Sequence, residues 1–541
     1  MKERPTGDEE MAAKAYEPPV KESGAGSAGA GEGGGEDAAR TAGRGGLVIV
    51  AAKVMFILYG FAQQILLQHL LGAAGYGEVA LVNASVGVVN NVMVAASIQG
   101  VSRTVAAAPA AQVGEMYRRV LGIHSVIAVV VAAAFAALSG PLAKVLHAEH
   151  VLGPMRVVAL VVLLYGVYAP IVGSLNGRKR FVDQGGLDIA YGAMRTLGIA
   201  LGVVLFLRAG QSGTLGFCVG FVAAAALIVP ASIWRAGLGK PGGSEPSVGH
   251  YLTFLGPVVV AQGCLNLLLR TDFFLLRYFA GETAHAAGAP QGAADALLGV
   301  YQGVQLYAFL PYQLLMSITF ILFPMLARAH ADEDRGAVRT YTRTGVRLSF
   351  VFSGLICGTV AALPMHVLRM ASPEAIWRDG AGALRILALG MGTLSVLGIS
   401  SAVLTSLKRE REAAGITLAA VALVAIACVA ALSGAGLGEG MLVRTAIAAS
   451  VGLGAAMLLG ALLVRRAAGG FVPVATAVRV PLAIGAAMAA GWKMPWLGKV
   501  AVVPQAAAIG LVYVLALVVL REVGRDDLGV LRRAMSKKKG S

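Results

Sequence analysis

The feature that most constrains this chain is a series of apolar runs that recur between residues 46 and 520. Each run is about 20 residues long, which is the length that an α-helix needs to cross roughly 30 Å of hydrocarbon. Charged residues make up only 14% of the chain and hydrophobic residues 57%, whereas soluble domains use roughly 25% charged residues. The sequence therefore predicts an all-α, polytopic membrane protein.

The runs predict about fourteen transmembrane helices. The first six are predicted at 46–71, 79–98, 120–138, 155–175, 187–207 and 215–234. The other eight are predicted at 251–279, 298–326, 344–363, 384–407, 416–432, 441–464, 474–491 and 500–520. The segment GLGKPGGSEPSVGH, which has the Gly, Pro and Ser content of a linker, separates the two sets.

This separation predicts two six-helix lobes followed by two C-terminal helices. The predicted parts are a disordered cytoplasmic N-terminus at 1–45, an N-lobe at 46–236, a cytoplasmic linker at 237–250, a C-lobe at 251–432 completed by the helix at 441–464, two further helices at 473–521 and a basic cytoplasmic tail at 522–541. A weak internal repeat is consistent with two lobes. The second span begins with Gly75-Tyr76-Gly77, and the eighth begins with Gly299-Val300-Tyr301.

The positions of Lys and Arg predict the orientation. With a cytoplasmic N-terminus, the even-numbered connections are cytoplasmic and should be the basic ones. Those connections carry Arg103, Arg118, Arg119, Arg178, Lys179, Arg180, Arg235, Lys240, Arg328, Arg335, Arg339, Arg343, Lys408, Arg409, Arg411, Arg465 and Arg466. Odd connections such as LGAAGYGE contain no Lys or Arg. Both termini are therefore predicted on the cytoplasmic side of an inner membrane. The net charge of +16 is accounted for by this pattern and does not indicate nucleic-acid binding.

Ionisable residues inside the predicted spans are candidate functional residues, because each is costly in lipid unless it faces a cavity or a partner. Arg270 and Asp272 lie near the middle of the seventh span. Arg270 could bind an anionic group such as a diphosphate, or the two could join this helix to the bundle. Arg195 in the fifth span and Lys53 in the first could face a cavity or extend to the headgroups.

Amide side chains form a second candidate set. The members with predicted cavity positions are Gln63, Asn83, Asn90, Gln302 and Gln305. Amides both donate and accept hydrogen bonds, which suits sugar hydroxyls. Hydrogen bonding between helices is the alternative role.

Other motifs are absent from the sequence. There is no Walker A motif and no GxSxG, and no His pair has zinc-ligand spacing. The four cysteines, Cys218, Cys264, Cys357 and Cys428, lie far apart in apolar stretches and are interpreted as core residues. We therefore predict no catalytic residue, no metal and no cofactor.

Several segments resemble a known family. The sequence LLQHLLGAAGYGEVALVNASVGVVNN followed by IQGVSRTVA, then LNGRKRF, the intramembrane Asp272, and GVYQGVQLY leading to LFPMLARA together span most of residues 46–410. They resemble bacterial polysaccharide exporters, a group similar to O-antigen flippases and the stage V sporulation protein B group. This group belongs to the multidrug/oligosaccharidyl-lipid/polysaccharide exporter (MOP) superfamily.

The resemblance implies a flippase with two lobes around a cavity that opens alternately to each side. The implied cargo is an oligosaccharide linked to undecaprenyl diphosphate, for polysaccharide or cell-envelope biosynthesis. Glycan polymerases or glycosyltransferases of the same pathway are implied partners. Fourteen spans also resemble lipid II flippases, but the first span has Lys53, Gln63 and Gln64 where those carry an Arg-Asp pattern.

Three alternatives remain open at the level of sequence. A cation-coupled drug exporter of the same superfamily would need a buried carboxylate, for which Asp272 and Asp188 qualify. A membrane glycosyltransferase or polymerase would need acidic groups in an extracytoplasmic loop, and the first such loop offers only Glu78. A scaffold that recruits envelope proteins through the N-terminal segment is the third.

Overall fold

The computed structural model describes residues 33–242, 248–290 and 292–522. The predicted disordered N-terminus falls mainly on residues 1–32 and the predicted basic tail on residues 523–541, both outside these ranges. Within them the chain forms α-helices joined by short turns and no strand.

Sixteen α-helices make up the described fold. They are α1 (Gly33–Ala107), α2 (Val113–Val145), α3 (Leu152–Gly177), α4 (Phe181–Arg208), α5 (Gly213–Ala236), α6 (Val248–Leu268), α7 (Thr271–Ala286), α8 (Ala293–Ala308), α9 (Leu310–Ala331), α10 (Arg335–Ala362), α11 (Pro364–Ala371), α12 (Glu374–Ser406), α13 (Glu410–Leu432), α14 (Glu439–Ala468), α15 (Val474–Trp492) and α16 (Val502–Val519). A short 3₁₀ turn, Glu149–Val151, precedes α3.

The long helix α1 contains the first two predicted spans. It is interrupted at Gly72, whose φ of 65° and ψ of −175° lie outside the helical region. A positive φ is accessible to glycine because it has no Cβ. The part from Ala51 to Ala107 has 57 residues, which at about 1.5 Å per residue is more than twice the thickness of a bilayer core.

The described residues include twelve helices long and apolar enough to cross a membrane. That set counts α1 once although Gly72 divides it, and it omits the α8–α9 pair, which covers the eighth predicted span. Counting α1 as two spans and the α8–α9 pair as one gives fourteen, which agrees with the predicted number of about fourteen. The chain is a multi-pass membrane protein.

The seventh and eighth spans differ from the prediction of continuous helices. The segment 251–279 divides into α6 and α7 at Arg270, which has φ −130° and ψ −3°. The segment 298–326 divides into α8 and α9 at Phe309. Breaks inside the bilayer leave backbone groups outside the helical ladder, and such breaks are tolerated where the backbone is buried in protein or lines a cavity. The first of these breaks positions the candidate site.

Beyond α1, the main helix contacts fall into two groups. Helices α2 to α5 contact one another, and helices α6 to α16 contact one another. In the first group α4 and α5 pack closely through two glycine pairs at four-residue spacing, Gly198/Gly202 on α4 and Gly216/Gly220 on α5. A Cβ at Gly202 would lie 2.3 Å from the carbonyl oxygen of Gly216, and one at Gly220 would lie 2.2 Å from that of Gly198. This spacing lets two helix backbones touch.

The last two helices pack against α10 and against each other, forming a small separate core around Tyr513. A buried carboxylate closes this unit at the end of α16. Oε1 of Glu522 accepts hydrogen bonds from Thr476 Oγ1 at 2.6 Å and Arg347 Nε at 2.8 Å, and Oε2 accepts from Arg479 Nη1 at 3.3 Å. Burial raises the pKa of Glu522, but these hydrogen bonds outweigh it and hold the pKa below its usual value.

We expect Gly216→Ala to destabilise the protein, because the added methyl would lie 2.5 Å from the carbonyl oxygen of Gly202. Overpacking of this kind typically costs about 1–3 kcal/mol. Gly186→Ala in α4 is the matched control, since a Cβ there meets nothing within 4 Å. Thermal unfolding of both variants in detergent measures the difference. Equal Tm values for the two variants would contradict the close approach of α4 and α5.

We expect Glu522→Gln to lower the Tm at neutral pH. A carboxylate whose pKa is lowered by folding stabilises the native state above its unfolded pKa, about 4.3. That stabilisation is lost as the pH falls through the folded pKa. The Tm difference from wild type should therefore shrink on acidification. Glu412→Gln, which removes an exposed pair with Arg409, should change the Tm little at any pH.

Candidate functional site

The break between α6 and α7 places Arg270 beside α8. Its Nη1 donates to Gln302 Oε1 at 3.1 Å and to Gln305 Oε1 at 3.4 Å. The guanidinium is half-buried, and among the described residues no carboxylate lies within salt-bridge distance of it. The cation is therefore held by neutral amide oxygens.

Asp272 lies two residues further on, in the first turn of α7, and is 4% exposed. Its Oδ2 accepts from the Tyr301 hydroxyl at 2.6 Å and from Gln305 Nε2 at 3.1 Å, and its Oδ1 accepts from the Phe273 backbone N–H at 2.9 Å. Residues two apart on a helix do not face each other, and the structure joins Arg270 and Asp272 through a third residue. The Gln305 amide binds Arg270 with its oxygen and Asp272 with its nitrogen.

A second set of polar groups comes from α1. The Tyr76 hydroxyl donates to Gln64 Oε1 at 2.9 Å, and Gln68 Nε2 lies 3.5 Å from the Tyr76 oxygen. Gln68 faces α8, because a Cβ at Gly303 would lie 3.7 Å from its Nε2. The oxygen of this fully buried amide has no hydrogen-bond partner among the described residues.

We refer to these two sets together as the polar centre. Its members are Gln64, Gln68, Tyr76, Arg270, Asp272, Tyr301, Gln302 and Gln305. Four of them, Arg270, Asp272, Gln302 and Gln305, are predicted site residues that the structure brings together. The two tyrosines were missed. The Gly-Tyr-Gly and Gly-Val-Tyr segments at the starts of the second and eighth spans were the signal that could have identified them.

The remaining predicted residues lie in other surroundings. Arg195 stacks on Phe221, with its guanidinium carbon 4.5 Å from the ring centroid, beside Tyr165 and Tyr191. Lys53 is exposed and lies close enough to Asp188 to interact electrostatically. The other three predicted residues are buried Gln63, half-buried Asn83, and buried Asn90, whose Oδ1 has no partner in the described part of the chain.

Two seams join α1 and its neighbours to the second helix group. At one end Gly77 of α1 meets α8, because a Cβ there would lie 1.8 Å from the carbonyl oxygen of Asp295. At the other end the Tyr251 hydroxyl of α6 lies 2.6 Å from His124 Nε2, whose Nδ1 lies 3.0 Å from Ser97 Oγ. Residues 77 and 97 of α1 are separated by roughly 30 Å along the helix axis. Helix α1 and its neighbours therefore meet the second helix group at two well-separated positions.

A charged cluster beside the first seam was not predicted from the sequence. Arg277 of α7, which is 1% exposed, lies 3.4 Å through its Nε from Asp295 Oδ1 and donates from Nη2 to the His147 carbonyl at 2.9 Å. His150 Nε2 lies 3.1 Å from Asp295 Oδ2. Arg277 is an ionisable residue inside a predicted span, and that position was the signal for it.

Comparisons with solved structures identify the architecture. The structure of the lipid II flippase MurJ in an inward closed conformation matches with a TM-score of 0.67 and 13% identity over 88% of this chain and 99% of that one. A multidrug resistance MATE family transporter of the MOP superfamily, in an inward-facing conformation, matches with a TM-score of 0.62 and 14% identity over 78% and 98%. The chain has the MOP-superfamily transporter fold. The resemblance found in the sequence is confirmed at this level.

A MOP superfamily transporter from Pyrococcus furiosus is a third match. It has a TM-score of 0.57 and 13% identity over 79% of this chain and 95% of that one. No family model and no curated protein matches the sequence. Identities of 13–14% establish a shared fold and leave the substrate to be argued from this chain's own residues.

We expect Tyr301→Phe to destabilise the protein by about 1.5–3 kcal/mol, because it removes a hydrogen bond to a carboxylate that stays buried. Tyr307→Phe is the matched control on the same helix. That hydroxyl lies 3.4 Å from the neutral Ser372 hydroxyl, so its loss should cost less than the loss of the Tyr301 hydroxyl. Unfolding in detergent compares the two. A larger loss for Tyr307→Phe would contradict the assignment of Asp272 as an acceptor from Tyr301.

Proposed function

We propose that this protein is a flippase that moves an oligosaccharide linked to undecaprenyl diphosphate across the cytoplasmic membrane by alternating access. The observation that carries the proposal is Arg270, a cation at a helix break whose direct hydrogen-bond partners are the amide oxygens of Gln302 and Gln305. A diphosphate oxygen is a stronger acceptor for a guanidinium than a neutral amide. The headgroup can therefore replace these amides at Arg270.

The surrounding amides suit the rest of such a cargo. Gln64 and Gln68 on α1 and Gln302 and Gln305 on α8 each offer a donor and an acceptor, and sugar hydroxyls need both. The shared fold with a lipid II flippase supports this class of cargo. Lys53 in place of that subfamily's Arg-Asp pattern argues for a different glycan. Polymerases or glycosyltransferases of the same pathway are the partners we propose.

The membrane potential favours the proposed direction. With both termini in the cytoplasm, as the basic connections indicate, export moves an anion from the negative to the positive side. The potential supplies about 2.3 kcal/mol per charge per 100 mV. Anion export therefore needs no coupled ion.

A second candidate function rests on Asp272. This buried carboxylate with a tyrosine and an amide around it has the properties of a cation-coupling group. A cation-coupled multidrug exporter is therefore the alternative, supported by the shared fold with a MATE family transporter. The two candidates differ in the residue that each requires. The flippase needs Arg270 to bind the diphosphate, and the drug exporter needs Asp272 to bind the coupling cation.

The test is a lipid-flip assay in proteoliposomes with a fluorescent undecaprenyl-diphosphate oligosaccharide. We expect Arg270→Ala to flip at least about tenfold more slowly, because losing the cation that neutralises a buried charge costs more than the 1.4 kcal/mol of a tenfold change. Arg270→Lys should retain part of the rate. Arg444→Ala, an exposed arginine of α14, should resemble wild type.

One result would contradict the flippase proposal. If the wild-type protein moves no lipid-linked sugar but exports a cationic dye, and Asp272→Asn abolishes that export, the drug exporter replaces the flippase as the function. Retained size-exclusion profiles and Tm values for each variant establish that any loss of activity is not unfolding.

A further inference from the structure

Three side chains from separate parts of the chain converge at the seam where α1 meets α8. Glu78 comes from α1, His150 from the turn before α3, and Asp295 from the first turn of α8. One ligand atom from each lies within 4.8 Å of the other two, and His150 Nε2 is 3.1 Å from Asp295 Oδ2. Ligands of a tetrahedral ion at about 2.0–2.2 Å lie roughly 3.3–3.5 Å apart. Side-chain adjustment alone can therefore bring all three to one ion.

Asp295 has unused bonding capacity at this position. Its side chain is 2% exposed, and its Oδ1 has no hydrogen-bond partner among the described residues. The ion pair with Arg277 at 3.4 Å brings charge but no hydrogen bond. A buried carboxylate oxygen left without a bond carries a free-energy penalty. A cation bound through Oδ2, the oxygen that lies beside His150, would add a bond to this buried carboxylate.

The groups around the three ligands hold them in place. Thr214 Oγ1 donates to Glu78 Oε2 at 2.6 Å, which leaves the other oxygen of Glu78 for a ligand. Arg277 is fixed by the His147 carbonyl and lies beside Oδ1 of Asp295, whereas His150 lies beside Oδ2. Hydrogen bonds and ion pairs to ligating carboxylates are the usual support for a metal site.

The position is also accessible. His150 and Asp295 line a cavity of about 430 Å³, with Lys144, His147, Glu149 and His285 among its other lining residues. The His150 side chain is 31% exposed. An ion can therefore enter from this cavity, and a water molecule there can supply a fourth ligand.

The donor set selects the kind of ion. One imidazole nitrogen with two carboxylates suits zinc and similar transition metals, whereas calcium and magnesium prefer oxygen ligands alone. We propose that Glu78, His150 and Asp295 form a Zn²⁺ site that joins α1, α8 and the turn between α2 and α3. The sequence does not indicate this site, because residues 78, 150 and 295 have no metal-ligand spacing and meet only through folding.

A metal at this seam has a consequence that rests on the proposed function. Alternating access requires one end of the protein to open, and this ion would be bound by ligands on both sides of one seam. Ions that bind the closed form and not the open form favour the closed form. Zn²⁺ would therefore slow transport.

The binding test uses the full-length protein purified in detergent and titrated with Zn²⁺ by calorimetry and thermal unfolding. We expect Zn²⁺ to raise the Tm of wild type. His150→Ala and Glu78→Gln should weaken binding about tenfold or more, since even losses in the shell outside the ligands cost 10–100-fold. His285→Ala, a histidine in the same cavity, is the control and should bind as wild type does. Co²⁺ in place of Zn²⁺ should give a visible d–d absorption band in wild type but not in His150→Ala.

Two results would overturn the site: no Tm change in wild type at millimolar Zn²⁺, or equal weakening by His285→Ala and His150→Ala. A third experiment adds Zn²⁺ to the lipid-flip assay, where wild type should slow and His150→Ala should not. Binding without slowing would overturn the role in closure. A wild type that binds Zn²⁺ but flips no lipid at any zinc concentration would count against the flippase function and leave the metal site in place.

Discussion

The structure depends on one constraint, which is that a polar group inside a membrane must find its bonding partner within the protein. Helices meet this constraint for the backbone, so an apolar chain with 57% hydrophobic residues becomes a bundle of spans. The same constraint acts on the side chains. Arg270 and Asp272 are stable within the bundle because Gln305 bonds to both, and each of the two also has other partners on α8. The helix break at Arg270 is therefore the place where this bundle departs from regular helix and brings together polar groups that can bind a ligand.

Much of the fold could be predicted from the sequence, because spans depend on local composition. The number of spans and the limits of most helices follow from runs of apolar residues. The break at Arg270 could not be predicted in this way, because no proline lies beside it and it depends on the groups that α8 offers across the bundle. The interruption at Phe309 did have a signal in the sequence, because Pro311 at the start of α9 has no backbone N–H to donate to the Tyr307 carbonyl.

The candidate site shows the same division. Arg270, Asp272, Gln302 and Gln305 could be selected because a polar group in an apolar run is costly and therefore informative. Arg195 met the same criterion, yet it lies over Phe221 in an aromatic cluster, so burial cost identifies residues that need a partner without saying which partner they have. Arg277 also met this criterion, but Glu78, His150 and Asp295 lie outside the predicted spans, where charge is ordinary. Only the packing of α1 on α8 shows that these three meet beside Arg277.

The seam formed by Gly77 and Gly299 joins the two segments in which the weak sequence repeat is found. A Cβ at Gly299 would lie 2.0 Å from the carbonyl oxygen of Ala73, so the two helices touch through bare backbone. Ordering a side chain on contact costs rotamer entropy, and glycine has none to lose. The backbone hydrogen bonds on both sides remain within their own helices whether the seam is made or parted. Such a contact therefore costs little free energy to form or to separate. The two helices can slide against each other here, whereas side chains interlock in the rest of the core.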